Sequence, residues 1–148
     1  MSATGLAVFD KTIQETNIWL KAIEADIGPD RQVAYDVLRA ALHALRDRLT
    51  VEQAAHLSAQ LPMLVRGIFF EGWHPAGKPD KIRSVDVFLD GIAARLANVR
   101  PINPEVAARS VFRTVAQHVT PGETEKVKQM LPEDIRQLWP APAGSAAD

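Results

Sequence analysis

The stretch Val37–Phe69 reads VLRAALHALRDRLTVEQAAHLSAQLPMLVRGIF. Moved forward by seventy residues it lies, without a gap, on Ala107–Trp139, AARSVFRTVAQHVTPGETEKVKQMLPEDIRQLW. Arg39 falls on Arg109, Thr50 on Thr120, Leu61-Pro62 on Leu131-Pro132, and Arg66 on Arg136. The apolar positions coincide more fully. Ala41, Leu42, Leu45, Leu49, Leu57, Val65, Ile68 and Phe69 meet Val111, Phe112, Val115, Val119, Val127, Ile135, Leu138 and Trp139. A period this long marks a repeated supersecondary unit. The expected fold is therefore all-α, an internally duplicated bundle of two pseudo-symmetric units with about four helices each.

Working outward, Phe9, Ile13, Thr16, Leu20, Ile23 and Ile27 recur at helical spacing, with Trp19 on the flank of that face. Gly28-Pro29 stops this first helix, and Asp30 is placed to cap the second. The second helix carries the stripe Leu38, Ala41, Leu42, Leu45 and Leu49, with Asp36, His43 and Asp47 opposite it. Thr50-Val51-Glu52-Gln53 has the form of a capping box, in which the Thr hydroxyl accepts an N–H and the Gln reaches back. Pro62 suits the first turn of a fourth helix, which runs to about Phe70. In the second copy Val85, Phe88, Leu89, Ile92, Leu96 and Val99 share a face. Asn103-Pro104 and Thr120-Pro121-Gly122-Glu123 are the matching helix starts.

These boundaries divide the chain into a first repeat over 6–70, a linker over 71–84, a second repeat over 85–140 and a disordered tail over 141–148. The linker holds Gly72, Pro75, Gly77 and Pro79, which forbid regular structure across it. Gly72 is placed to take a left-handed conformation just past the fourth helix, with Trp73 folded onto Ile68 and largely buried. One half of about seventy residues is marginal alone, so the two halves are expected to share a core.

The composition excludes several function classes. The chain has 148 residues, a formal charge of −1 and no cysteine. There is no basic footprint for nucleic acid, and no thiolate chemistry or disulfide. No apolar run reaches membrane-spanning length. The expectation is a soluble, cytoplasmic protein that binds neither nucleic acid nor membrane.

The segments His43–Leu49, Ala59-Gln60-Leu61-Pro62, Arg66-Gly67 and Glu71-Gly72-Trp73 resemble the bacterial DUF2267 family. The likeness covers roughly residues 9 to 139. It implies an all-helical, internally duplicated, cytoplasmic protein. It implies no activity and supplies no catalytic residues. Pro140 stands where the second copy would need the Glu-Gly-Trp turn, so a site built on that turn exists once.

The chemistry-bearing residues give little purchase. His43, His56, His74 and His118 show no metal-ligand spacing, and no metal or other cofactor is expected. There is no phosphate loop and no nucleophile elbow. The chain therefore points away from an enzyme and toward a helical interaction or regulatory module with a protein partner. The alternative is a small-molecule binder, or an unrecognised enzyme, with its site near Glu71–Arg83. Candidate ligand or partner residues are Glu71, Trp73 and His74 in the linker and the repeated arginines Arg39, Arg66, Arg109 and Arg136. An arginine at the edge of an apolar stripe lays its stem on the core and sets its fork on a carbonyl or carboxylate. Asp47 and Glu71 are the plausible intramolecular partners.

Overall fold

Eight α-helices account for the regular structure of residues 3–141, the part described by this computed structural model. The expected tail lies, Ala141 apart, outside the described residues. The helices are α1 (Ala7–Ile27), α2 (Arg31–Asp47), α3 (Val51–Ser58), α4 (Met63–Phe70), α5 (Val85–Arg95), α6 (Pro104–His118), α7 (Pro121–Gln129) and α8 (Glu133–Arg136). No strand occurs among the described residues, and no helix there is long and apolar enough to cross a membrane.

α2, α3, α5, α6 and α7 each start where a side chain satisfies orphan N–H groups, whereas α1 has no side-chain cap. Asp30 accepts from Val33 N at 3.1 Å. Thr50 accepts from Gln53 N at 3.0 Å and Thr120 from Glu123 N at 3.2 Å. Ser84 caps α5 and Asn103 caps α6. The capping boxes are only half formed, however. Gln53 does not reach back to its own helix; its amide donates to Glu123 across the molecule at 2.5 Å. The two side chains are both buried, so each is the other's way of staying hydrogen-bonded out of water. That contact joins α3 to α7.

α2 is the axis of the molecule. It packs against α1, α4, α5 and α6, and every residue from Ala40 to Asp47 is buried. The face expected to look outward, with His43 and Asp47, is therefore covered, because α4 and α5 close over it. α1 and α6 pack on each other and on α2, and α5 packs on α6. One continuous apolar cluster results, with Trp19, Phe69, Phe88 and Phe112 among its largest fully buried members. Phe112 stacks on Trp139, with centroids 4.6 Å apart and planes 14° from parallel.

α1 is rotated from its expected register. Phe9 and Ile13 stand exposed, and the buried line is Thr12, Thr16, Trp19, Leu20 and Ile23. The two threonines decide this. Thr12 accepts from Leu64 N at 2.8 Å, which docks the start of α4. Thr16 donates to Thr12 O at 2.7 Å. With both hydroxyls bonded, the threonine edge can be buried at little cost, and Trp19 moves from the flank to the centre.

α4 ends at Phe70 with Gly72 left-handed beyond its C-cap, as expected, and the difference lies in where Trp73 goes. Gly72 has φ 71°, in the left-handed region. Glu71 before it has φ −57° and ψ 123°, and Trp73 N donates to Phe70 O at 3.1 Å. This is a type II turn over residues 70–73 with glycine at its third position. Trp73 consequently lies on Phe70, with centroids 5.0 Å apart, and is only partly buried. A Cβ at Gly72 meets nothing within 4 Å, so the cost of Gly72→Ala is backbone strain alone, about 1 kcal/mol. Gly67 also has open space around it but lies inside α4. Gly67→Ala is expected to stabilise by about 1 kcal/mol. Urea unfolding of the two variants should show shifts of opposite sign.

Candidate functional site

Two places on the molecule combine concavity with unspent chemistry. The first begins at the end of α2, where Arg46-Asp47-Arg48 follows a mostly apolar run. Arg46 is 4% exposed and Asp47 8%, so both charges must be paired where they stand. Arg46 Nε donates to Asp47 Oδ1 at 2.9 Å, and Arg95 Nη2 reaches Asp47 Oδ2 at 3.2 Å. The other side of the Arg46 fork donates to Phe69 O at 3.0 Å and Glu71 O at 2.8 Å. Arg46 thus holds the last carbonyls of α4, which have no helical partner of their own.

The segment between α4 and α5 is seated on the same helix end. Asp80 N donates to the Asp47 carbonyl at 2.7 Å. Arg48 Nη1 donates to Asp80 O at 2.5 Å, and Arg48 Nη2 approaches Met130 O at 3.4 Å. Lys78 lies between two carboxylates, 3.0 Å from Asp80 Oδ1 and 4.0 Å from Asp47 Oδ1. Arg48, Lys78, Pro79, Asp80, Lys81 and Arg83 line an open cleft of about 550 Å³. Burial, and then the nearby Arg83 charge, push the Arg48 guanidinium below its ordinary pKa.

The second place is a groove of about 390 Å³ between α1 and the turn from α3 into α4. Val8, Ile18 and Met63 form its exposed apolar rim. Trp19 and His118 form its floor, their rings tilted together with centroids 5.0 Å apart. Trp19 Nε1 is buried and has no partner among the protein groups. Leu6, Phe9, Ile13 and Leu64 extend the exposed apolar surface around this end of α1.

Of the residues singled out in the sequence, Arg39 and Glu71 meet, and the others do not gather with them into one site. Arg39 meets Glu71 at 2.6 Å, and this bond holds the Glu71 carboxyl below its usual range. Both side chains are largely exposed, so the pair fixes the helix end more than it stabilises the fold. Arg66 donates to Ser58 O and Leu61 O, at 3.0 and 3.3 Å. Arg136 donates to Lys128 O and Leu131 O, at 3.1 and 3.0 Å. Arg109 bonds Glu105 and Gln137 O. Trp73 lies on Phe70, and His74 is exposed beside it. Reading the sequence missed Arg48 and Arg95. The signal for Arg48 was present: a charged triplet, Arg46-Asp47-Arg48, follows a mostly apolar stretch broken by His43.

His43 is not a ligand candidate in this geometry. Its Nε2 donates to Ile68 O at 2.7 Å, so that nitrogen carries a proton and is not free to ligate. Burial lowers its pKa, more than the Ile68 carbonyl raises it. The unfolded chain therefore takes up a proton more readily than the folded one. Stability is complete above the unfolded value near pH 6.5 and falls as pH drops through the lower folded value. Melting temperature should decline below roughly pH 6.5, and His43→Gln should flatten that part of the profile.

Among the described residues no three His, Asp or Glu side chains are grouped so as to hold a metal ion. The class is an all-α protein built around a buried central helix, with an apolar groove on one side and a basic cleft on another. Residues 16–138 match DUF2267, described as an uncharacterized conserved protein, and the chain belongs to that family. No curated protein matches it in sequence.

Proposed function

We propose that the protein is a non-enzymatic, cytoplasmic interaction module whose docking face is the groove between α1 and the α3–α4 turn. The occupant that suits this face is an amphipathic helix of a protein partner. The observation that carries the reading is the exposed apolar rim of the groove, Val8, Ile18 and Met63. Isolated exposed apolar residues need no explanation, but a contiguous set around a concavity marks an interaction site.

We also propose that the fold is two similar units, residues 6–70 and 85–140, joined by 71–84. Support comes from bonds that repeat at the seventy-residue offset. Arg66 and Arg136 each hold the carbonyls eight and five residues earlier. Thr50 and Thr120 each cap the N–H three residues later. Gln53 and Glu123, which occupy matching positions, bond each other.

A photo-crosslinking residue placed at Ile18 or Met63 in the native cell tests the docking face. A single protein adduct is expected from both positions and not from exposed Lys126 on α7. No adduct, or the same adducts from Lys126, would overturn the reading. An adduct only to further copies of this chain would replace the partner helix with self-association.

A further inference from the structure

We propose that the cleft formed by Arg48, Lys78, Lys81 and Arg83 is a binding site for a small phosphate-bearing molecule. Four cationic side chains and one carboxylate, Asp80, line it. Lys78 is taken up by Asp80 and Asp47, so the carboxylate is already spent. Lys81 and Arg83 make no ion pair or hydrogen bond among the described residues. Like charges are not gathered around a concavity without cost unless a counter-charge is to be received.

The second observation concerns Arg48. It is 9% exposed, and its Nε is a buried donor with no partner. Its Nη atoms are committed to Asp80 O and Met130 O, and neither acceptor carries a full charge. A buried guanidinium held only by carbonyls is under-compensated. A dianionic phosphate in the cleft would neutralise it together with Lys81 and Arg83, through charge-assisted bonds. The lowered pKa of Arg48 has the same physical origin, burial and the Arg83 charge.

The volume, about 550 Å³, lies in the range of small-ligand pockets and leaves room beyond a bare phosphate. The ligand class is accordingly an organic phosphate ester, with the phosphate toward Arg48, Lys81 and Arg83. This site shares no residue with the apolar groove, so the two proposals stand or fall separately.

Titration calorimetry of the full chain with inorganic phosphate, pyrophosphate and glucose 6-phosphate, at fixed chloride, tests the site. Saturable binding of the sugar phosphate is expected below roughly 1 mM, weakening as salt is raised. Lys81→Ala/Arg83→Ala should weaken it by about tenfold or more without lowering the melting temperature, since neither side chain is paired in the fold and Arg83 repels Arg48. Tighter binding of inorganic phosphate or pyrophosphate than of the sugar phosphate would move the assignment to an inorganic anion. No saturable binding of any of the three, or binding untouched by the double substitution, overturns the proposal.

Discussion

Asp47→Ala is expected to destabilise the protein by about 3–5 kcal/mol, the cost of leaving a buried charge without its partner. Among the described residues Asp47 is the one carboxylate in contact with both Arg46 and Arg95, and Lys78 lies at the margin of contact. Removing it strands Arg46, which is 4% exposed and cannot turn to water. The backbone bond from Asp80 N to the Asp47 carbonyl survives the change, so the loss reports the carboxylate itself. Arg95→Ala should cost less than about 1 kcal/mol, because its side chain is one-third exposed and solvent replaces the pair. Urea unfolding of both variants separates the two cases. A loss below about 1 kcal/mol for Asp47→Ala would mean that Arg46 is satisfied by Phe69 O and Glu71 O alone.

Trp19→Ala should cost a comparable amount, about 3–5 kcal/mol. Trp19 is fully buried in α1 and lies against His118 of α6, beside the α3–α4 turn. Truncation removes its transfer free energy and leaves a cavity that the surrounding helices cannot close. Trp73→Ala provides the contrast. That indole is only partly buried on Phe70, so its loss should be clearly smaller. The urea midpoint at constant m-value is the measurement. Similar losses for the two tryptophans would show that the turn over residues 70–73 carries more of the core than its burial indicates.

The helices and most of their ends were legible because they are set locally. Caps at Asp30, Thr50, Asn103 and Thr120 need only a side chain within three residues of its N–H. What could not be read depends on contacts between distant segments. The rotation of α1 follows from Thr12 bonding Leu64, fifty-two residues away. Gln53 and Glu123 have the pattern of capping residues, and nothing local reveals that they bond each other instead. A helical wheel of α2 marks His43 and Asp47 as outward-facing, since it contains no knowledge of α4 and α5. The candidate site was visible only in part. The linker was recognisable by its Gly and Pro content, and Lys81 and Arg83 by their charge. Arg48, which completes the cleft, arrives from the end of another helix. Phe9 and Ile13 were read as core and stand exposed, because periodicity shows which residues share a face and not whether that face is covered.

Residual dipolar couplings of the backbone N–H groups in solution test most directly that the fold is one unit used twice. Couplings for residues 37–69 and 107–139 can be fitted separately, each segment defining its own helix orientations. The two segments should return the same three-helix arrangement, with α3 and α4 set on α2 as α7 and α8 are set on α6. Different orientations in the two segments, outside the error of the fits, would contradict the account.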